Sequence, residues 1–543
     1  MFDLTAQPWV PVIEGGRSRL ASLTEALTRA NELDGLDFRR PLEAFAVLRV
    51  LVAVHLAAVG ELPDDERAWT RHWDSGSLDV DAVVSYLGAH REQFDLFSPD
   101  RPFAQTAGLQ SRTGDVKPVS LLLAEVPSGN NVPLFGGVTD AHPLQLAPAQ
   151  AAAALLATIG YDTAGIKTGA AGDPRMKDGK VTCPLGPLGQ LGGIIPTGAT
   201  LLQTLMLNTP IADRDEELGT PAWERPTGPD WQPRPPDGLL DLLTWPARRV
   251  RLVTADTADG EQAVTGVVLT SGDRMEHTPL TEPHTLWRIV AKPEAGAPPS
   301  APRRHQPGTA SWRGLRAVLA VKGSEGDVRT SRLLEQLQRL VSRQFLPAST
   351  QVSVVAVGVA YGTQKAVIED VYLDEIPLPV LALLTGSGAD PAVEALGAAA
   401  VRQLVLDMAD QAESLRRAAN SFGDRLRLAA GGEKTPRDKG PRLGELLLHE
   451  LDPTARRLLA GLAAEPGKHD LARDAWVTTA RSAALGLIPA ALAATAPSAV
   501  LGRPSGDERR PHLAPAALVA LFRSDITTIL GRAGAATTPL EAA

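Results

Sequence analysis

Ala389-Asp390-Pro391 divides this chain of 543 residues. Asp in a capping position accepts hydrogen bonds from the free first-turn amides, and Pro suits the first helical position. The pattern predicts a long helix from here to about Ala429, broken by Gly431-Gly432-Glu433-Lys434-Thr435-Pro436. Further helices are expected at about 442–464 (restarting at Asp452-Pro453), 469–496 and 514–533. In the 469–496 segment Leu471, Trp476, Ala480, Ala484 and Leu487 mark one apolar stripe. Four apolar-striped helices on short connections predict a four-helix bundle over 385–543.

Upstream, residues 1–375 read as a large mixed α/β domain, so the fold class is α+β. Val250-Arg251-Leu252-Val253 and Val352-Ser353-Val354-Val355-Ala356-Val357 are strand-like. Helical periodicity covers Pro41–Val59 and Arg329–Phe345, where Leu333, Leu334, Leu337, Leu340 and Val341 recur at helical spacing. Gly- and Pro-rich loops are expected at 163–193 and 212–238, the second holding Trp223 and Trp231 in polar company. The sequence has no internal repeat.

The length exceeds one core and implies two or three domains; 44% apolar residues fit a folded soluble protein. Cys183 is the single cysteine, which excludes an intramolecular disulfide and a cysteine-cluster metal site and fits a reducing cytosol. No secretory signal is read. Two apolar stretches imitate a membrane span. Ala44–Gly60 carries Arg49 and His55 and reads as a core helix; Ser482–Gly502 is Ala-rich with Pro489 and Pro497 and reads as a buried bundle helix.

A net charge of −9 argues against a general nucleic-acid binder, but the charge is uneven. Between Pro302 and Thr350 stand nine basic residues (Arg303, Arg304, Arg313, Arg316, Lys322, Arg329, Arg332, Arg339, Arg343) against three acids. Between Arg416 and Arg442 stand eight (Arg416, Arg417, Arg425, Arg427, Lys434, Arg437, Lys439, Arg442) against three. Local basic surface, rather than whole-chain charge, is what phosphate contact needs.

Catalytic signatures are missing: there is no Gly-x-Ser-x-Gly elbow, His-Glu-x-x-His helix or EF-hand loop. His469-Asp470 reads as a helix start rather than a metal pair. Gly160-Tyr161-Asp162-Thr163-Ala164-Gly165-Ile166-Lys167-Thr168 imitates a phosphate-binding loop, but Ile166 separates Gly165 from Lys167. That loop needs Gly-Lys-Thr contiguous, after an apolar strand, so that Lys reaches the phosphates cradled by backbone amides. A cytosolic nucleotide-dependent enzyme using Gly160–Thr168 stays open as an alternative.

Five segments occur in order along the chain: Asp3-Leu4-Thr5-Ala6-Gln7-Pro8-Trp9-Val10-Pro11-Val12, Arg101-Pro102-Phe103-Ala104-Gln105-Thr106, Ser128-Gly129-Asn130-Asn131-Val132-Pro133-Leu134-Phe135-Gly136-Gly137, Leu201-Leu202-Gln203-Thr204-Leu205-Met206-Leu207-Asn208, and Leu243-Thr244-Trp245-Pro246-Ala247-Arg248-Arg249-Val250-Arg251-Leu252. Together they resemble the CasA family, the large subunit of the type I-E CRISPR surveillance complex, Cascade. One departure stands out: some relatives carry a cysteine-rich loop that binds zinc, which Cys183 alone cannot build.

The resemblance implies a cytoplasmic, non-enzymatic protein without cofactor, metal or membrane segment. It implies that the protein reads a short protospacer-adjacent motif in double-stranded DNA and helps open the duplex for the guide RNA. The implied partners are guide crRNA, target duplex, the backbone and small subunits, and a helicase-nuclease. The family's glycine loop maps to Gly165–Gly172, with Gly165, Lys167 and Gly169 as contacts; glycine lets backbone enter a minor groove about 6 Å wide. Its wedge hairpin, with an Asn-Gln-Ala-like tip, maps to Tyr361-Gly362-Thr363-Gln364-Lys365-Ala366 after a strand at Val354–Ala360, with Thr363, Gln364 and Lys365 as contacts; Thr363 and Lys365 depart from the pattern. A groove-directed basic side chain maps to Arg274. Asn130, Asn131 and Phe135 match the segment that anchors the subunit near the guide RNA. Arg416, Arg417, Arg425 and Arg427 would hold the displaced strand. A pure assembly scaffold that never touches DNA is the other alternative.

Overall fold

In the computed structural model the chain forms two compact units. The structure describes residues 1–126, 143–214, 216–225, 233–257, 260–293, 296–306, 308–320, 328–384, 397–435, 442–504 and 512–531. The first unit comprises Met1–Thr309, Ala320–Pro347 and Val352–Glu375; the second comprises Ala310–Leu319, Ala348–Gln351 and Ile376–Ala543. The Asp390-Pro391 cap and the loop with Asn130, Asn131 and Phe135 lie outside the described residues.

The helix Pro41–Val59 runs through the core of the first unit, with every residue from Ala44 to Leu56 buried. Pro41 starts it, and Gly60, at φ +82°, ends it by donating to the Leu56 carbonyl at 2.8 Å. Among the described residues it alone is long and apolar enough to cross a membrane, yet 78% of its apolar window is buried inside the protein. Its apolar residues drive that burial, and the buried Arg49 is compensated by pairing with Glu282 at 2.7 Å and donating to the Leu242 carbonyl at 2.8 Å. Burial pushes the Glu282 carboxyl up, but Arg49 outweighs it and holds the group at about 2.

Two antiparallel sheets flank this core. Arg248–Asp256 pairs with Gln262–Ser271, with a bulge at Val253/Thr254, and Lys117–Pro118 adds on the far edge. Val352–Tyr361 lies between Ile368–Leu378 and Gly193–Thr197. Trp223, expected in a polar loop, is instead buried against Phe94 and Phe103, and its indole donates to the Tyr86 hydroxyl at 2.7 Å.

Four long helices run through the second unit among the described residues: Ala398–Ala429, Leu443–Ala464, His469–Ala493 and Pro515–Leu530. Gly444 lets the first two approach, since a Cβ there would meet the Arg416 carbonyl at 2.3 Å. Phe422 and Phe522 stack at 4.8 Å. Trp312, from the short insert at 310–319, donates to Asp452 at 2.8 Å and meets Trp476 edge-on. Three expectations need correction. No helix restarts at Asp452-Pro453; the helix runs through Pro453. Leu471 is 68% exposed and leaves the apolar stripe. Ser482–Gly502 is not one buried helix: the helix ends at Ala493, and Val500 and Leu501 face solvent.

Candidate nucleic-acid interface

Thr363–Ala366 form the exposed tip between the strands Val352–Tyr361 and Ile368–Leu378. The Gly362 amide donates to the Val367 carbonyl at 3.0 Å, and the Lys365 amide donates back to Gly362 at 2.9 Å. This tight closure puts Gln364 at φ +57° and Lys365 at φ +58°. Left-handed backbone costs a non-glycine residue about 1–2 kcal/mol, so two in succession persist only if the surroundings impose them. Tyr361 supplies one anchor: its hydroxyl donates to the Tyr161 carbonyl at 2.6 Å.

Ala164 supplies the second anchor, donating its amide to the Lys365 carbonyl at 3.1 Å. The glycine-rich segment and the exposed tip, far apart in sequence, are thus hydrogen-bonded neighbours. Immediately after Ala164, Gly165–Thr168 pairs antiparallel with Lys180–Cys183. The segment is therefore a β-hairpin rather than an open loop. Of the expected groove-entering residues, Gly165 (φ +147°) and Gly172 (φ +78°) are exposed. Gly169 is buried; a Cβ there would meet Met176 at 2.3 Å, so its missing side chain serves packing rather than groove entry.

Lys167 also needs correction. Its side chain is 17% exposed and its ammonium pairs with Asp162 at 2.9 Å. Arg248, fully buried, pairs with the same carboxylate at 2.5 Å and donates to the Pro184 carbonyl at 2.6 Å. Burial alone would raise the Asp162 carboxyl; Arg248 and Lys167 outweigh it and hold it below the ordinary range. Lys167 is thus committed to a buried ion cluster beneath the hairpin. The phosphate-loop alternative loses its geometry with it: Gly160 closes a helix (Pro148–Tyr161), and a strand follows it rather than a helix N-terminus.

Residues 3–487 match the family described as CRISPR-associated protein Cse1. The chain belongs to the Cse1 family. CRISPR-associated protein CasA/Cse1 of Thermus thermophilus is 36% identical over 271 residues, 48% of this chain and 50% of that protein, so the aligned region spans about half of that relative. The crystal structure of Thermobifida fusca Cse1 superposes with a TM-score of 0.83 at 30% identity, covering 98% of this chain and 99% of that one. A chain of a CRISPR RNA-guided surveillance complex shares the fold at TM-score 0.67 and 21% identity, with 97% and 99% covered.

On this Cse1 fold Arg274 is exposed, and its side chain makes no ion pair among the described residues. It follows Ser271, the register partner of Arg248, so it leaves the sheet at the end that holds Asp162. Arg112 sits beside the Gly165–Cys183 hairpin, its amide donating to the Gly169 carbonyl at 2.8 Å. A cavity of about 180 Å³ lies behind the ion cluster, walled by Arg101, Phe103, Trp223, Trp245 and Arg248.

Among the described residues, six of the arginines between Pro302 and Thr350 are paired with acids, Arg329 with Glu335 among them. Arg313 and Arg316 pair with Glu413 and Asp410, Arg332 with Glu216, and Arg339 and Arg343 with Glu66. In the second unit Arg416 is held by Glu413 at 2.9 Å and Glu445 at 3.2 Å, which removes it from the strand-holding set. Arg417 and Arg427 stay exposed, donating to the Ser414 hydroxyl and the Glu433 carbonyl, without an ion pair among the described residues, and Arg425 is half-buried. His469 and Asp470 sit 3.9 Å apart at a helix start, and no metal-binding cluster occurs among the described residues.

Sequence reasoning named Asp162, Arg248 and Tyr361 inside its segments but missed the supporting role of each beneath the tip and hairpin. Arg248 sits in a quoted family segment, but nothing local says that a strand arginine is buried on an acid from another element.

Proposed function

We propose that this Cse1-family chain is the large, non-catalytic subunit of a cytoplasmic CRISPR surveillance complex, Cascade. In this reading it recognises the protospacer-adjacent motif in duplex DNA and promotes R-loop formation. The carrying observation is the Ala164–Lys365 hydrogen bond, which joins an exposed glycine-bearing strand to a strained, exposed tip carrying Gln364. Gly165 and Gly172 suit close backbone approach in a minor groove, Arg274 suits the groove's negative potential, and Gln364 suits entry between base pairs. Unstacking costs a few kcal/mol, offset by groove contacts and by guide pairing in a nearly balanced strand exchange.

The same reading gives the second unit a four-helix bundle whose Arg417, Arg425 and Arg427 hold the displaced strand. It assigns the Asn130–Phe135 segment to guide crRNA and the backbone subunit. Small subunits and a helicase-nuclease complete the partners. The domain split of the reading is 1–375 and 385–543.

Photocrosslinking from position 364 in the assembled complex to motif-containing duplex tests the proposal. Crosslinks at the motif-proximal base pairs are expected. Their absence, with assembly intact, would favour a pure scaffold.

A further inference from the structure

The strand Gly165–Thr168 is patterned inside out. Its apolar residue, Ile166, is 71% exposed, while its basic residue, Lys167, is turned in to the buried Asp162 carboxylate. An exposed strand normally places apolar side chains inward and charged ones in water. The inversion has a geometric cause: Lys167 joins Arg248 on the Asp162 carboxylate, and with Lys167 turned inward the neighbouring position of the alternation, Ile166, faces outward. A polar residue at 166 would satisfy that geometry without exposing a hydrocarbon side chain, and breaks of a local rule of this kind concentrate at functional positions.

Its placement is the second observation. Ile166 lies two residues beyond Ala164, whose amide holds the Lys365 carbonyl. The exposed hydrocarbon is therefore fixed beside the tip whose backbone is strained at Gln364 and Lys365. Side chains that pry base steps apart in the minor groove are commonly apolar, because a parted step offers base faces and deoxyribose edges rather than hydrogen-bonding groups.

We infer that Ile166 is a second insertion residue: it packs on the base and deoxyribose surface uncovered as Gln364 enters, so that duplex opening is driven by a polar and an apolar side chain held on two hydrogen-bonded hairpins. This inference rests on the DNA-reading function proposed above. The contact is uncharged, so its contribution is insensitive to salt, unlike a phosphate contact.

The test uses the fully assembled guide complex and a linear duplex with 2-aminopurine at the first base pair beside the motif. Ile166→Thr keeps a β-branched residue in the strand. It is expected to slow opening about fivefold by loss of apolar contact, at an unchanged salt slope. Ile166→Leu is expected to stay within about twofold of the parent. On a duplex already mismatched at that step, Ile166→Thr should match the parent. Thermal unfolding should not change, since the side chain is exposed. If Ile166→Thr opens linear duplex at the parental rate while Gln364→Ala is slow, the inference falls and the DNA-reading function stands. If both variants open at the parental rate, both fall. Slowing that persists on the pre-opened duplex also overturns it, because Ile166 would then act in docking rather than in opening.

Discussion

The Gln364 tip and the arginines Arg417, Arg425 and Arg427 of the Ala398–Ala429 helix carry two different kinds of candidate contact, and they are built in opposite ways. The tip carries the one charge of Lys365 and is conformationally strained, and its shape depends on residues beneath it: Tyr361 on Tyr161, Ala164 on Lys365, and the Asp162–Arg248–Lys167 cluster under the paired hairpin. Arg417, Arg425 and Arg427 sit on regular helix, where any helix former would hold the backbone and only the side-chain charge matters. A contact made by backbone shape needs a buried support; a contact made by charge needs only an arginine left free of acids.

The largest expected effect breaks the support. Arg248→Met leaves the Asp162 carboxylate buried with Lys167 as its one cationic partner. Because Lys167 still compensates the charge, the cost is that of the lost charge-assisted hydrogen bonds, about 1.5–3 kcal/mol. Urea unfolding, followed by probes in the first unit only, should show that loss, and Gln364-dependent opening should fall with it. The support is also acid-sensitive. Because the folded Asp162 carboxyl is held below its ordinary range, its stabilisation is present above the unfolded pKa and is lost as the pH falls through the lower folded value. Arg248→Met should flatten that acid limb; an unchanged limb would place the support elsewhere.

Next in size is a change confined to the tip. Gln364→Gly relieves the left-handed strain and removes the inserted side chain at once. Stability should rise by at most about 1 kcal/mol, while duplex opening should slow. A variant both more stable and equally fast would mean that the strain serves nothing at this tip.

These two cases mark what the sequence could disclose. Local pattern was enough for Pro41–Val59, which forms over its expected span, and for the Val352–Tyr361 strand leading into an exposed turn at Gln364. Such features depend on neighbours in the chain: periodicity, a starting proline, a closing glycine. What escaped depends on partners far away. The nine-to-three basic run from Pro302 to Thr350 looked like a cationic patch because Glu66, Glu216, Asp410 and Glu413, which pair with its arginines, lie outside that stretch. Lys167 looked like a groove contact because nothing nearby said that Arg248 would share its acid. Trp223 looked exposed because its aromatic neighbours Phe94 and Phe103 come from another segment.

The smallest effect on folding is expected on the helix. Reversing charge at Arg425 and Arg427 together should leave stability within about 0.5 kcal/mol, because neither forms an ion pair among the described residues and surface charges contribute little. The functional readout is the displaced strand in the assembled complex: its protection from nuclease should weaken, and the salt dependence of strand retention should shallow by about one unit of log–log slope per lost phosphate contact. Arg416, committed to Glu413 and Glu445, makes the internal control. Reversing it should cost stability and leave the salt slope alone. Should Arg416 shift the slope and the Arg425/Arg427 pair not, freedom from acids would be the wrong criterion, and the contrast between tip and helix would have to be drawn on shape alone.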